Sequence, residues 1–344
     1  KQKTAYEIPK RDWSSDVCSS DLVLMRRAMQ VPALRDYFLD AVRRAALAAG
    51  GPNGWLEKEL DRAYGLMHEA ALADPAKITS NDEFEWAVGQ TRQFIQVRRD
   101  NVIAEVGPMP APVLQSTTPV GSQPSASVEL VVGAIASLQG ENLAYWDLPA
   151  SALPLPTELN KTIVEVNGVA APLFSVAPGI INFQIPWELE GQSKARVRVV
   201  VDGKASNRMD VALTNAAPQL LAALPSTDSQ TAATATVEGD SSQTGAMRRG
   251  SVMVLYGLGL GAVSNPPPSG STPSADVPSL SIEMPEVFIG ELPAQVLYSG
   301  LAPEWVGVYQ INVSVPMDAP SDPAVPIELR VGGTVSNQLM VPVN

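Results

Sequence analysis

The sequence predicts a multidomain protein of the α plus all-β class, in which a small three-helix region precedes two β-sandwiches. Two observations predict this class. Apolar residues recur with the helical period of about 3.6 over residues 23–107, and with the strand period of two beyond residue 127. The second part also contains an internal repeat, which indicates two units of similar structure.

Residues 1–22, KQKTAYEIPKRDWSSDVCSSDL, show neither period and contain Cys18, the one cysteine of the chain. These residues resemble translated sequencing-adapter DNA at two places, residues 1–8 and residues 12–22, and both matches are in the same reading frame. We therefore expect a disordered, adapter-derived artefact fused to a gene fragment that begins at Val23. The alternative is a disordered natural N-terminus. If the segment is an adapter, any signal peptide and any upstream domain are missing from the chain.

Acidic side chains dominate the C-terminal part, which carries most of the net charge of −12. Residues 108–344 contain nine basic and twenty acidic side chains, so they repel phosphate backbones and nucleic acid is not expected as a partner. The absence of cysteine after residue 22 excludes disulfides, thiol nucleophiles and cysteine-ligated zinc there. No apolar run is long enough to cross a membrane, so no membrane span is expected.

Three helices are predicted in the first region. The first begins at Pro32, which suits the first turn, and stops at Gly50, while the second covers about residues 55–73. The third begins with a capping box, in which the Ser80 hydroxyl and the Glu83 carboxylate each accept a hydrogen bond from the other's backbone N–H. A region of this size buries a limited apolar core, so we expect the edge of a larger helical lobe.

Residues 108–127 are rich in proline, serine and threonine and have no period, so they are predicted to form a linker. Beyond them, two strand-like runs surround Asn167-Gly168, and two more surround Asp202-Gly203. Both dipeptides tolerate positive φ and therefore predict tight hairpins. The region after the linker is accordingly predicted to be all-β.

The internal repeat defines two β units. The strand INFQIP matches INVSVP 130 residues later, and each is followed at equal distance by a segment that ends in Ser-Asn, at Asn207 and Asn337. VEVNGVAAPLFSVAPG likewise matches VFIGELPAQVLYSGLAP, and the second copy has an insertion, EWVGVYQ. We expect one sandwich over residues 128–216 and another over residues 217–344.

The motifs of the repeat resemble the IPT/TIG class of immunoglobulin-like β-sandwiches. That class has a GxGLG turn, a V-x-V-x-G-x-x-A hairpin, an I-x-V-x-V-P strand and a terminal G-x-x-S-N hairpin. The second copy contains YGLGLG, VFIGELPAQV, INVSVP and VGGTVSN, and the first copy contains all but a clear glycine-rich turn. As a pair, the copies look like the uncharacterised C-terminal β-domain of secreted acidobacterial proteins. The resemblance implies a bacterial protein that is secreted or on the cell surface.

The helical region resembles the C-terminal end of the CotH family of protein-kinase-like spore-coat proteins. The resemblance lies in RRAMQVPALRDYFLDAVRRA, WLEKELDRAYGLM and DEFEWAVGQTRQFIQVRRDNVIAEV. It implies a parent protein that bound ATP and Mg²⁺ and transferred phosphate. The nucleotide-binding and metal-binding residues of that family would lie upstream of Val23, so this chain is expected to have no catalytic residue, cofactor or metal site. The upstream kinase lobe is an expected partner.

Three other features have plain explanations that outweigh functional ones. Residues 257–262, GLGLGA, follow an apolar strand like a dinucleotide loop, but the proline-rich segment after them cannot form the helix that a phosphate loop opens. His68 lacks the nucleophile and ligands that a site requires, so a solvated or edge histidine is expected. Arg92, Arg98 and Arg99 could hold an anion, but the preferred interpretation is an exposed, ion-paired helix face balanced by Glu85 or a contact to the missing lobe.

Aromatic residues of the β region are the best sequence indication of binding. Trp305 and Tyr309 lie in or beside the insertion of the second copy, Trp187 follows the first INFQIP strand, and Trp146 lies near the first glycine-rich turn. Exposed rings stack on sugars or anchor protein interfaces, but the preferred interpretation is that these rings plug the ends of the sandwiches. We therefore expect a structural or adhesive appendage without catalysis, or alternatively a module that binds a surface glycan or protein.

Overall fold

The computed structural model confirms the α plus all-β class, because helices, among them the three predicted ones, are followed by β-sandwiches. The chain divides into two compact units, Lys1–Pro110 and Ala111–Asn344. The expected adapter segment lies outside the residues that the structure describes, which are 27–51, 53–120, 129–225, 246–274 and 276–344.

The first unit contains the three predicted helices, α1 (Pro32–Ala49), α2 (Trp55–Ala73) and α3 (Asn81–Val106). Pro32 occupies the first turn of α1, and Gly50 ends the helix with a positive φ of 78°. The predicted capping box is confirmed, because Glu83 N donates to Ser80 Oγ and Ser80 N donates to a Glu83 carboxylate oxygen. The sequence therefore places both ends of α1 and α2 and the start of α3 correctly.

The helical unit has a small core. Ala46, Ile95 and Val102 are its buried apolar helix residues among those described. Arg43 ties α1 to the end of α3, because its guanidinium donates to the carbonyls of Val106 and Gly107, which have no partner within α3. Most other large side chains of the unit are exposed, as a limited core requires.

The first half of the second unit is a sandwich of two sheets. One sheet has the order β1-β3-β8-β7-β4, and the other has the order β2-β11-β9-β5-β6, with β10 paired to β9. The strands are β1 (Val113–Pro119), β2 (Glu129–Val131), β3 (Ile135–Glu141), β4 (Leu148–Pro149), β5 (Thr162–Val166), β6 (Val169–Ala170), β7 (Leu173–Val176), β8 (Ile180–Gln184), β9 (Lys194–Val201), β10 (Lys204–Ala205) and β11 (Met209–Thr214). Alternate residues of β5 and β9 are buried, which is the period of two that the sequence shows.

The second half repeats this arrangement. Its strands follow the order β12-β13-β16-β15-β14-β17-β18, with β19 paired to β17. The long strand β15 pairs with β14 at one end and with β16 at the other, so it joins both faces of the sandwich. The strands are β12 (Gln219–Pro225), β13 (Val252–Leu258), β14 (Glu286–Ile289), β15 (Leu292–Leu301), β16 (Tyr309–Ser314), β17 (Asp322–Val331), β18 (Thr334–Val335) and β19 (Leu339–Val343).

Both predicted hairpins of the first sandwich are confirmed. Asn167 and Gly168 have φ values of 51° and 84° between β5 and β6, and Asp202 and Gly203 have values of 48° and 80° between β9 and β10. Positive φ at both central positions is the geometry of a type I′ turn, whose twist matches that of the flanking strands. These four residues therefore set the register of two strand pairs.

The predicted linker is wrong over residues 113–119, which form β1 and pair with β3. The prediction failed because the segment is polar: Leu114 and Thr117 are its buried side chains, so its apolar pattern is weak. Thr117 nevertheless suits a strand, since β-branched side chains pack well on a pleated surface. Composition alone therefore mistook a polar first strand for a linker.

The Ser-Asn pair of the repeat ties the first strand of each sandwich to the second sheet. Asn207, which lies between β10 and β11, accepts from Leu114 N (2.7 Å) and donates to Leu114 O (3.1 Å). Asn337 makes the same two bonds to Leu220 of β12, at 2.8 and 3.0 Å. Leu114 and Leu220 each lie beside a β-bulge, where the strand ladder is interrupted. One amide thus satisfies the backbone groups that the bulge leaves open.

Replacing Asn337 by alanine tests this role. The Asn337→Ala variant loses both bonds to Leu220, and we expect the free energy of unfolding to fall by about 1–2 kcal/mol. Asn207→Ala should cost a similar amount in the first sandwich. The matched control is Gln338→Ala, an exposed neighbour whose removal should change stability by less than about 0.5 kcal/mol. Guanidinium denaturation measures all three, and equal stabilities for Asn337→Ala and the control would contradict the assignment.

Candidate functional site

The two sandwiches meet at a contact that we name the junction. It is formed by Gly133, Gln184 and Trp187 of the first sandwich and by Ser269 and Gly270 of the second. The last two residues lie in the proline-rich segment after the GLGLGA turn. This segment therefore reaches from the second sandwich onto the first.

Gln184 is the central polar side chain of the junction. It is fully buried, its Nε2 donates to Gly133 O (3.0 Å), and its Oε1 accepts from Gly270 N (2.7 Å). Gly270 O accepts from Leu155 N (2.7 Å), so the glycine is bound on both sides by the first sandwich. A buried amide whose donor and acceptor are both paired fixes the orientation of its partners, because moving them leaves polar groups unpaired.

Trp187 fills the apolar part of the junction. It begins a short 3-10 helix, Trp187–Leu189, directly after β8, and 7 % of its surface is exposed. Its ring belongs to the same buried cluster as Ala216 and Leu260 of the connection and the second sandwich. It also packs against Gly133, where an added Cβ would come within 2.2 Å of the ring. The expectation that Trp187 is exposed for binding is therefore wrong.

Tyr309 is also buried, with 1 % of its surface exposed on β16. Its hydroxyl donates to Gly261 O of the glycine-rich turn, and burial strongly raises the pKa of the phenol. The expectation of an exposed ring is wrong here too, because position 309 faces the core in the alternation of its strand. Its polar tip stabilises the turn from inside.

The GLGLGA segment is a structural turn, as preferred from the sequence. Ala217 N donates to Gly259 O (2.9 Å), and added Cβ atoms at Gly259 and Gly261 would lie 2.4 and 2.5 Å from the carbonyl oxygens of Ala217 and Asn215. No helix follows the turn in residues 262–274. The glycines therefore allow close approach to the connection between the sandwiches and do not form a phosphate loop.

Trp146 and Trp305 are half-buried. Trp305 packs against a small apolar cluster that contains Leu258 and Val308. Trp146 lies beside Tyr145, with the two ring centroids 6.0 Å apart. Part of each indole is accessible, and a contact of either with a ligand or partner stays a prediction.

The arginine cluster of α3 is ion-paired with α2. Arg92 contacts Asp61 at 2.6 Å and Glu57 at 3.8 Å, which confirms the preferred interpretation of an ion-paired face. The expected balance by Glu85 is wrong, because Glu85 instead accepts from Tyr64 Oη (2.9 Å) and bonds His68 Nε2 (2.8 Å). These contacts lower the pKa of the Glu85 carboxyl, the Tyr64 hydrogen bond having the largest effect.

The other two arginines have separate contacts. Arg98 lies over the ring of Phe94, 5.8 Å from its centroid, and Arg99 contacts Asp100 at 2.8 Å. Across the described ranges, no three His, Cys, Asp or Glu side chains are placed to hold a metal ion. The helices in that part of the chain include none that is long and apolar enough to cross a membrane.

Sequence reasoning missed the residues that hold the junction. Gln184 and Trp187 correspond in the repeat to Ser314 and Met317, and Met317 is 70 % exposed. The difference at these two positions, between two copies that otherwise match, was therefore a sign in the sequence that the first copy makes a contact there that the second does not. It could not be interpreted without the partner, because Gly270 approaches from 86 residues away.

Several solved structures are similar in fold. A Bacteroides ovatus protein, the mixed-linkage glucan utilization locus SGBP-B in complex with a mixed-linkage heptasaccharide, is 14 % identical, with a TM-score of 0.26. The alignment covers 65 % of this chain and 44 % of that protein, so the chain spans less than half of its length. No protein-family model matches the sequence, and no curated protein matches it.

Two further structures are tandem domains. The titin Ig tandem A164–A165 is 12 % identical with a TM-score of 0.19, and the alignment covers 68 % of this chain and 96 % of the titin tandem. The D00–D0 domain of intimin is 9 % identical with a TM-score of 0.17, over 66 % and 99 % of the two chains. By its own strand pairing, the β unit is a pair of immunoglobulin-like sandwiches, a fold that both structural and binding modules use.

Proposed function

We propose that residues 111–344 form a rigid, non-catalytic module that serves as a structural or adhesive appendage of a secreted or cell-surface bacterial protein. The observation that carries the proposal is the paired, buried amide of Gln184, which bonds Gly133 and Gly270 across the junction. Two adjacent domains that move freely relative to each other do not need such a contact. An appendage that holds another domain at a set distance and angle does need it.

We also propose that both sandwiches belong to the IPT/TIG class. The features that support this are the glycine-rich turn packed on the connection and the Ser-Asn pair in both copies. Secretion is proposed from the resemblance to acidobacterial C-terminal β-domains. The exposed polar faces of β9 and β11 are compatible with a solvated appendage.

The helical unit is proposed to be the end of a CotH-like kinase lobe whose remainder is outside this chain. Its exposed aromatic side chains support a missing partner surface: Tyr37 is 77 %, Trp55 is 64 % and Trp86 is 68 % exposed. Exposed aromatic rings are able to anchor a contact with a partner surface. ATP and Mg²⁺ would bind the upstream part, and this chain would need no cofactor of its own.

Unfolding experiments on Gln184→Ala test the rigid module. The variant leaves Gly270 N–H and Gly133 C=O without partners in a buried contact, so we expect the free energy of unfolding to fall by about 2–4 kcal/mol. Ser314→Ala, the same position in the second copy, is the control and should cost less than about 1 kcal/mol. The measurement is guanidinium denaturation of the full chain. Equal losses for the two variants would contradict a special role of the junction.

A glycan-binding surface module is the second candidate function. The observation that favours it is that Trp305, in the insertion of the second copy, keeps part of its ring exposed. If it holds, a neutral cell-wall polysaccharide should quench tryptophan fluorescence of the full chain, and Trp305→Ala should remove most of the response. Trp55→Ala in the helical unit is the matched control. Absence of fluorescence quenching by neutral glucans, mannans and xylans would contradict glycan binding.

A further inference from the structure

An open groove of about 500 Å³ lies on the solvent-exposed face of β5, β9 and β11 in the first sandwich. Its basic lining residues are Lys194, Arg196, Arg198 and Arg208. They are four of the nine basic residues in 108–344, a region with twenty acidic ones. The β unit therefore gathers nearly half of its positive charges on one face.

The strand register explains why these side chains meet. Lys194, Arg196 and Arg198 are alternate residues of β9, so they point to the same face at intervals of roughly 7 Å. Asp210 on β11 lies opposite Arg196, and Glu165 on β5 lies opposite Arg198. The groove is thus a row of cations on the central strand with one carboxylate on either side.

Two of the cations are paired and two are not. Arg196 donates to both carboxylate oxygens of Asp210, at 2.7 and 3.3 Å, and Arg198 Nε donates to Glu165 at 2.5 Å. The Arg196 hydrogen bond lowers the pKa of the Asp210 carboxyl, so this acid stays ionised at neutral pH. Within the described ranges, Lys194 and Arg208 form no ion pair. The groove therefore carries an excess of two positive charges.

The second copy of the repeat shows that the fold does not require these cations. The buried positions of β9 keep apolar partners in β17: Ala195, Val197 and Val199 correspond to Val325, Ile327 and Leu329. The exposed positions do not keep their charge, since Lys194, Arg196, Arg198 and Arg208 correspond to Ala324, Pro326, Glu328 and Gln338. This face of the sheet carries the row of cations in the first sandwich, and the equivalent face of the second sandwich does not carry it. Stability of the sandwich is therefore not the reason for the row.

We propose that this groove binds a carboxylated polysaccharide, that is, a polymer of uronic acid residues. Guanidinium groups bind carboxylates with two parallel hydrogen bonds, and Arg208 forms no ion pair within the described residues, so its guanidinium is available for a ligand carboxylate. Repeated carboxylates along a chain match cations repeated along a strand. Glu165 and Asp210 can accept hydrogen bonds from sugar hydroxyls between those carboxylates.

Other polyanions fit the groove less well. Nucleic acid lacks a stacking partner, because no aromatic ring is among the described lining residues to stack a base. The groove lies on the face of the sheet, so a peptide could not pair its main chain with a free strand edge there. A ligand that carries both carboxylates and hydroxyls uses all the charges present.

The experiment uses the full chain and oligogalacturonate of about ten residues, titrated by calorimetry at low salt, about 50 mM, and at about 150 mM. We expect binding that weakens with salt and is absent for the methyl-esterified oligomer, which keeps the sugar and removes the charge. The variant Lys194→Ala/Arg208→Ala removes the two unpaired cations, and affinity should fall about five- to tenfold. Arg330→Ala on the second sandwich should bind as the unmutated chain does.

Three results would overturn the proposal. The first is no binding of either oligogalacturonate or alginate oligomers by the folded chain. The second is equal affinity of the Lys194→Ala/Arg208→Ala variant, with its thermal midpoint unchanged to show that it is folded. The third is equal or tighter binding of polyglutamate or single-stranded DNA, which would assign the groove to another class of polyanion. These results do not depend on the rigidity of the junction.

Discussion

The buried amide of Gln184 is the constraint on which the arrangement of the β unit depends. It pairs Gly133 of its own sandwich with Gly270 of the other, and no water is needed to satisfy either partner. In a buried contact, separating these groups leaves them unpaired at a cost in free energy, and we propose that this holds the two sandwiches at one orientation. The ring of Trp187 fills the remaining space, and Gly133 is the residue that lets the ring approach. Polar and apolar contacts therefore act at the same place.

The duplicated sequence separates what the fold needs from what it does not. Asn207 and Asn337 make the same hydrogen bonds to the first strand of their sandwiches, so that pair belongs to the architecture. Gln184 and its counterpart Ser314 differ because one lies in the junction and the other does not. The cationic row of β9 differs from β17 without any such structural reason, which is why we infer a ligand there.

Local features were predictable from the sequence because their causes are local. The capping box of Ser80 and Glu83 and the hairpins at Asn167 and Asp202 depend on residues within a few positions, and the structure confirms them. The repeat predicted two sandwiches because equal sequences fold alike. The class of the fold follows from these elements together.

Burial of single aromatic rings was not predictable, because distant segments decide it. Trp187 is covered from the other sandwich, whose Ser269 Oγ accepts from the Trp187 backbone N–H (2.8 Å). Tyr309 meets Gly261, which lies 48 residues away. Strand β1 was missed for a related reason. Its polar sequence does not indicate a strand, and its structure depends on distant partners, namely its pairing with β3 and its hydrogen bonds to Asn207.

Electron–electron distance measurement between the two sandwiches reports whether Gln184 holds them at one orientation. Spin labels at Ala205 and Val335, which are equivalent and exposed positions of the two terminal hairpins, report the orientation once Cys18 is replaced by serine. We predict one narrow distance distribution for the labelled chain and a broader one when Gln184→Ala is added. A broad distribution without that substitution, or a narrow one that Gln184→Ala leaves unchanged, would contradict this prediction.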